Sequence, residues 1–524
     1  MKFLVYSEVT AATIATSLGL PEYSYYFVLR DFLPVLRQLG EVVVVDDPEL
    51  EVDRHHAAAL EKGERCLFLS FSPPHKTALG LSCPTLPVFA WEFESIPNEP
   101  WLDETHQDWS HVLRSCGSAI THSAMTVEAV RRELGEEFPI VAIPSPVWDK
   151  FADQRGGVVP AAASHSVRME AGIVLDTHDV ALEPFMPGLD AVAKAVATAR
   201  ATLKGNESAP AKAKASSEAV APESRLQITR RYVGAWYLQV LRGLAPWLPE
   251  RWPSSVAAPS VPLPAEPEPE QVSAGPHMEP RNQVEPSTLP EQGVQPHIPG
   301  WIPGTCSFEL TGVVFTALFN PYDGRKNWID MLTAFCAAFR DDADATLVFK
   351  LGHHDYQAAL SSMLMCIARL PRFKCRVLLV HGYLEKSEFD SLIAASAFVI
   401  NASHGEGQCL PLMELMSCGK PAIAPRNSAM LDYIDDEVAF VVDGWLDATA
   451  WPHDPRLAYR TGRQQIDWSS LVEQYRAAYR CYKEDPDRYR RMSAAAIQRM
   501  HDHCSQAVAK TRLQQFLNIE DVSS

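Results

Sequence analysis

Short, continuous apolar runs alternate with helix-patterned stretches twice along this chain, once before residue 150 and again after residue 310. In the first stretch KFLVYS, EVVVVDD, CLFLSFS, LPVFAW, SAITHS and PIVAIPS read as strands. Each is short and rich in β-branched or aromatic residues, as strands buried on both faces are. Between them, YYFVLRDFLPVLRQLG and AMTVEAVRRELG carry apolar residues at helical spacing and end at glycine, a helix stop. The second stretch repeats the scheme with VVFTALF, ATLVFKL, RVLLVHG, FVINAS, PAIAP and AFVV. Its helices include a stripe of Trp328, Met331, Leu332, Phe335 and Phe339, and another of Phe389, Leu392 and Ile393 with Ser387 as the expected N-cap. Strand and helix in strict alternation demand a parallel sheet covered on both faces, so two α/β domains are predicted. Their bounds are 1–154 and 306–467, with a helical segment over 468–524.

Residues 155–305 break the pattern. Proline crowds VAAPSVPLPAEPEPEQVSAGP, and APAKAKASSEAVAPES lies upstream. Neither can offset its ordering entropy by burial, so the insertion is predicted to be mostly disordered. One segment inside it, 228–252, is apolar, aromatic and basic. On a helix, Val233, Trp236, Tyr237, Val240, Leu241 and Leu244 share a face, with arginines at the edges. That composition suits either a membrane–water interface or a helix packed on one of the two domains.

The formal net charge of -18 argues against a nucleic-acid partner. The eleven cysteines show no paired or zinc-like spacing and read as thiols of a reducing compartment. The N-terminal run is interrupted by Glu8 and reads as a first buried strand rather than a leader. No apolar stretch reaches the roughly 18 residues a spanning helix needs. A cytoplasmic protein is expected, with 228–252 as a candidate peripheral contact at the inner face of the membrane.

The chemistry concentrates in FVINASHGEGQCLPLMELMSCGKPAIAP. A strand ends near Asn401, a glycine-flanked loop follows, and Pro411 stands where a helix would begin. Glu406 then lies in a loop at the carboxyl edge of the sheet, where open α/β sheets bind ligands. Glu414 is expected in the first helical turn. The amides of Gln408, Cys409 and Leu410 point into the same space, an anion site suited to a diphosphate.

This string closely resembles the signature of glycosyltransferase family 4, two glutamates separated by seven residues in a context like EGFGLPLLEAMACGKPVI. Glu406, Gly407, Leu410, Pro411, Glu414, Met416, Cys418, Gly419, Lys420 and Pro421 carry the match. The resemblance covers 310–515 well and 1–150 loosely, and the insertion has no counterpart in it. It implies the GT-B fold: two Rossmann-like domains facing a central cleft, here with a largely disordered Pro-rich insertion between them.

The resemblance also implies site residues. Glu406 would hold sugar hydroxyls, Glu414 would face the ribose, and Gly405, Gly407, Gln408, Cys409 and Leu410 would surround the donor. In ALFNPYDGRKNWIDMLTAF, Arg325 and Lys326 would stabilise charge on the leaving diphosphate. Relatives often carry a Gly-Arg pair where Leu318, Phe319 and Asn320 stand here, so Arg325 is the candidate to replace it, with Asn320 nearby. In RVLLVHGYLEKSEFD, the residues Gly382, Tyr383 and Leu384 would hold the base through backbone groups. In the N-terminal domain, Glu92 and Glu94 of FAWEFESIPNEPW and His75 are candidate acceptor contacts, with His106 and His122 as rivals. His353 and His354 invite a metal reading that no convergent carboxylates support.

The implied reaction is sugar transfer from a nucleoside diphosphate sugar to a glycan, lipid-linked or protein acceptor, with retention of configuration, as in polysaccharide biosynthesis. No cofactor and no metal are expected, because the basic loop and helix terminus can do the ion's work. Two alternatives stay open: a nucleotide-sugar epimerase of the same fold, and a non-catalytic nucleotide-sugar or membrane scaffold.

Overall fold

A computed structural model of the chain describes residues 1–14, 17–20, 22–101, 103–155, 164–186 and 301–519, with isolated positions between 188 and 197. The segment 228–252 lies outside the described residues. All twelve strands read from the sequence are present, six in each of two sheets.

The N-terminal sheet holds β1 (Lys2–Tyr6), β2 (Glu41–Val44), β3 (Cys66–Phe71), β4 (Thr85–Phe89), β5 (Ala119–Thr121) and β6 (Ile140–Ala142). All six are parallel, in the order β2-β1-β3-β4-β5-β6. Successive side chains point to opposite faces. Phe3 and Val5 enter the core built with helices Tyr23–Leu39 and Trp109–Cys116, while Leu4 packs against Val52 and Phe68 on the other side. Around β1, β3 and β4 both faces are dry, which is why these strands read as continuous apolar runs, while the edge strand β2 leaves Glu41 and Val44 exposed.

The second sheet contains β7 (His165–Asp176), β8 (Gly304–Leu310), β9 (Val313–Phe319), β10 (Ala345–Leu351), β11 (Arg376–Gly382), β12 (Phe398–Ile400), β13 (Ala422–Pro425) and β14 (Ala439–Val442). Its parallel part runs β11-β10-β9-β12-β13-β14. In chain order that is 3-2-1-4-5-6, the doubly wound Rossmann order, which reverses direction between β9 and β12.

Three boundaries differ from the sequence reading. The domain does not begin at 306, and the predicted insertion does not begin at 155. β7 lies inside 155–305 yet pairs antiparallel with β11, and β8 pairs antiparallel with β7. β7 buries Val167 and Met169 but leaves Arg168 and Glu170 exposed, so this added strand has no continuous apolar run to announce it. Second, the 468–524 segment is not one unit. Helix Trp468–Glu484 puts Leu471, Tyr475 and Ala478 into the C-terminal core, whereas Ala509 and Leu513 of helix Gln506–Leu517 join the N-terminal core. Third, helix Lys386–Ala395 is capped by Glu385 in a reciprocal box with Glu388, which leaves Ser387 inside the helix.

A hairpin absent from the sequence reading, β15 (Gly444–Ala450) and β16 (Tyr459–Ile466), leaves the C-terminal domain and meets the N-terminal one. Trp451 donates from Nε1 to the Ser95 carbonyl at 3.3 Å, and Arg456 pairs with Glu99 at 2.9 Å. All eleven cysteines are free thiols, and no helix among the described residues is long and apolar enough to cross a membrane.

Candidate active site

Topology alone brings two loops together. The strand order reverses between β9 and β12, so the loops leaving their carboxyl ends diverge over the sheet and open a crevice there. The loop after β9 carries Asp323, Arg325 and Lys326, and the loop after β12 carries Asn401 to Cys409. They are stitched by the His404 amide, which donates to the Arg325 carbonyl at 2.9 Å. The hairpin backs the same loop: Gln464 donates from its amide to the His404 carbonyl at 3.1 Å.

Glu406 is buried at the centre. Lys326 Nζ stands 2.8 Å from both of its carboxylate oxygens. Asn401 Nδ2 donates to Oε1 at 2.9 Å, and Ser403 Oγ donates to the same oxygen at 2.5 Å. Its backbone is fixed too: the amide donates to Ser428 Oγ at 2.8 Å, and the carbonyl accepts from Ala429 at 3.2 Å. Burial works to raise the carboxyl's pKa, but the charges of Lys326 and Arg325 and the hydrogen bonds outweigh it and hold it below the ordinary glutamate value. The group is therefore an anion across the physiological range. Burial acts against the Lys326 ammonium as well, and Glu406 overcomes it, raising that pKa.

Arg325 is held differently. Its Nη2 lies 2.7 Å from Asp323 Oδ2, and its Nη1 lies 2.6 Å from Glu92 Oε1, a carboxylate of the N-terminal domain. Burial raises the Glu92 pKa against the pull of Arg325. The domains touch closely here because of two glycines. A Cβ on Gly405 would lie 3.1 Å from the Glu92 carbonyl, and one on Gly407 would lie 2.7 Å from Ala90 Cβ. Beside this contact sits a cavity of about 290 Å³ lined by Glu92, Phe93, Arg325, His404, Gly405 and Arg463 among others.

Helix Leu410–Ser417 starts after Cys409, which caps it in the left-handed region at φ 61°. Leu412 turns back to the Cys409 carbonyl at 3.1 Å, while the amides of Gln408, Cys409 and Leu410 have no hydrogen-bond partner among the described residues. Gln408 itself reaches the other domain, accepting from the Ser145 amide at 3.0 Å. Glu414 is not in the first turn as expected. It falls in the second, because Leu410 rather than Pro411 opens the helix, and its Oε1 meets Lys150 Nζ at 2.6 Å.

The remaining expected positions scatter. Asn320 spans the cleft, donating from Nδ2 to the Gly19 carbonyl at 2.9 Å. Gly382 has φ 136°, and a Cβ there would meet the Ala171 carbonyl at 2.6 Å, so the approach of β7 already requires a glycine. Tyr383 is exposed, and Leu384 packs partly buried against the β7–β8 core. Glu94 is exposed beside Gly462 of the hairpin rather than in the crevice. His75 stacks on Trp109, whose Nε1 donates to its Nδ1 at 3.2 Å, and burial pushes its pKa down to about 4. His122 is buried, with Nδ1 2.9 Å from the Ile143 carbonyl. A carbonyl can only accept, so Nδ1 carries the proton and Nε2 is left without a partner among the described residues. His106 is exposed on a short turn. His353 and His354 stack on each other over the Leu18 loop.

Sequence reasoning missed Asn401, Ser403 and Ser428, which orient Glu406, and Asp323, which shares Arg325. Ser403 and Asn401 lie within five residues of Glu406, so their proximity was the available signal; Ser428 comes from a separate loop and had none. Two Asp-x-Asp triplets, 342–344 and 485–487, also occur. Asp344 precedes β10, at the edge of the sheet opposite the crevice, and Asp485 caps a helix.

Residues 312–452 match the family model described as glycosyl transferases group 1. The matched span runs from the start of β9 through both crevice loops to the hairpin. No curated protein matches the chain. Among solved structures it is similar to Anabaena Alr3699/HepE in complex with UDP and glucose, at 9% identity and a TM-score of 0.45 over 99% of each chain. A glycosyltransferase from Rickettsia africae ESF-5 shows 11% identity and a TM-score of 0.45 over 100% of this chain and 99% of that one. Sucrose-phosphate synthase (tll1590) from Thermosynechococcus elongatus shows 12% identity and a TM-score of 0.45 over 99% and 98%. At those values the likenesses add nothing to the fold read from the strands. The family match falls on the crevice loops of the second of two Rossmann-like domains: the chain is a glycosyltransferase of GT-B architecture, with a group 1 domain over residues 312–452.

Proposed function

We propose that the enzyme moves a sugar from a nucleoside diphosphate sugar to a hydroxyl-bearing acceptor with retention of configuration. The observation that supports this most is the pairing of Lys326 with Glu406 across the switch-point crevice, beside the open amides of Gln408 to Leu410. An anion held rigidly beside a cation suits a bond that breaks to give a positive sugar ring and a negative diphosphate. Glu406 would accept hydrogen bonds from sugar hydroxyls. Lys326, Arg325 and the amides would take up the charge on the phosphates. The leaving phosphate oxygen would receive the acceptor proton on the same face, and no covalent enzyme intermediate is invoked.

Charge counting adds a condition. Arg325 and Lys326 together face Asp323, Glu92 and Glu406, so the five groups sum to -1 with the cleft as it stands. A diphosphate would not enter against that sum. Glu92 is the carboxylate brought by the other domain, and we infer that it leaves Arg325 when the donor arrives. Glu92 and His75 then remain candidates for acceptor contact, and the acceptor would be a glycan or a lipid-linked sugar. The reaction is expected to run without a divalent metal. Complete loss of activity in EDTA, restored by magnesium or manganese, would contradict that. The test of the whole reading is a screen of nucleoside diphosphate sugars for binding and slow hydrolysis, which needs no acceptor. At least one donor should be hydrolysed, and inertness toward all of them would overturn the proposal.

A further inference from the structure

Glu414 is held on one side and open on the other. Its Oε1 meets Lys150 Nζ at 2.6 Å, and its Oε2 has no partner among the described residues. The same ammonium lies 3.1 Å and 3.4 Å from the two oxygens of Asp31. The three side chains come from three places. Asp31 belongs to helix Tyr23–Leu39 of the N-terminal domain, Lys150 to the short 3-10 segment Trp148–Gln154 that follows β6, and Glu414 to helix Leu410–Ser417 of the C-terminal domain. The Asp31 side chain is 5% exposed and that of Glu414 15%, so water screens them weakly. One cation therefore serves two carboxylates from opposite domains. Arg30 adds only a 3.6 Å contact to Asp31 from the solvent side.

The contacts around Lys150 are not symmetrical. Trp148 Nε1 donates to the Ile497 carbonyl at 3.1 Å, and Arg155 Nε donates to the Ser417 carbonyl at 3.2 Å, at the end of the Glu414 helix. Val147 and Phe151 pack with Leu412 and Met413 of that helix. Lys150 is thus tied to the C-terminal domain although it follows the last N-terminal strand. If the domains separate, the Lys150–Glu414 contact stays and the Lys150–Asp31 contact breaks.

The donor reading sets Glu414 toward the ribose; we propose that Lys150 is the positioning residue that orients its carboxylate, so that the free Oε2 faces a ribose hydroxyl, while Asp31 holds the same ammonium from the N-terminal domain. The inference rests on the nucleoside diphosphate sugar reading above. Without Lys150, Glu414 and Asp31 become two carboxylates facing each other in a poorly hydrated place, and Glu414 turns away or takes up a proton. Either change removes a directed acceptor and leaves the phosphate contacts intact.

The experiment titrates UDP, GDP and ADP, each with its 2′-deoxy and 3′-deoxy counterparts, into the full-length protein. The best-bound nucleotide is then measured against Glu414→Gln, Lys150→Met, Lys150→Arg and Asp31→Asn, with thermal melts to check folding. The wild type should prefer the ribonucleotide over one deoxy form by about tenfold, the scale of one lost hydrogen bond to a charged group. Lys150→Met should cut that ratio at least about threefold while leaving affinity for the deoxy form unchanged. Lys150→Arg should restore the ratio, and Asp31→Asn should keep it, because it leaves Lys150 wholly to Glu414. Should Lys150→Met fail to fold, Lys150→Gln takes its place with the same expected fall, and an unchanged ratio there, or its loss in Lys150→Arg, would overturn the proposal. A ratio abolished by Glu414→Gln but untouched by Lys150→Met would overturn the role of Lys150 alone. A ratio untouched by Glu414→Gln, or no binding of any nucleotide, would defeat the donor reading beneath it.

Discussion

The two glutamates of the signature stand eight positions apart in sequence, yet the molecule treats them in opposite ways. Glu406 is fixed by its own domain: Lys326, Asn401, Ser403 and Ser428 all belong to the C-terminal sheet and its loops. Glu414 is fixed by a lysine that it shares with the N-terminal domain. The neighbouring cations divide in the same way. Lys326 makes its close ion pair with Glu406 of its own domain, whereas Arg325 is split between Asp323 and the N-terminal Glu92. One half of the crevice is preorganised, and the other half depends on how the domains meet. Preorganised charge is what a transition state uses, because nothing must reorient as the bond breaks. Shared charge is what a binding step uses, because it can be exchanged for a ligand's.

Three substitutions would break or sharpen that contrast. The largest effect is expected at the preorganised anion. Glu406→Gln should retain the fold and lower transfer by at least about a hundredfold, the scale of losing one transition-state contact. Near-normal turnover in that variant would remove Glu406 from the chemistry. A smaller effect, of opposite sign, is expected on the shared side. Glu92→Gln removes a carboxylate competing for Arg325 and should tighten nucleoside diphosphate binding about fivefold, equivalent to about 1 kcal/mol. Weaker binding would show that Glu92 organises Arg325 rather than blocking it.

The third effect is on stability alone. Lys420, inside the family-like GKP turn, is buried, and desolvation pushes its ammonium down to about 8. A lysine depressed on folding binds fewer protons in the native state than in the unfolded one between about pH 8 and its ordinary 10.5. Stability therefore rises with pH across that window, and the burden is greatest below it. Lys420→Met should raise stability at pH 7 by about 1–3 kcal/mol and lose that advantage above pH 10.5. Thermal melts at both pH values measure this, and a gain that does not depend on pH would point to packing instead.

Much of this architecture could be read from the sequence, and the reasons are specific. Strands buried on both faces, such as VVFTALF and ATLVFKL, leave an unbroken apolar signature. The β7 strand, HSVRMEAGIVLD, does not, because Arg168 and Glu170 face solvent from an antiparallel extension. The hairpin was missed for a similar reason: Trp445, Leu446 and Tyr459 are exposed, so its apolar residues mark no core. In the site, the spacing of Glu406 and Glu414 around glycines and a proline was visible, since one loop and one helix start encode it, whereas Lys326, 80 positions away from Glu406, entered only through the resemblance. The Lys150 contact was not, because residues 264 apart meet only once both domains are folded. The same holds for Glu92, which the sequence offered as an acceptor contact and the fold sets against Arg325.

The central claim is that the crevice between β9 and β12 receives the diphosphate of a sugar donor. The most direct measurement compares the affinities of a nucleoside diphosphate and its nucleoside for the wild-type protein and for Lys326→Ala. The charge of Lys326 should act on the phosphates alone, so the substitution should weaken the diphosphate by about tenfold or more and leave the nucleoside unchanged. Equal losses for both ligands, or none for either, would contradict the claim.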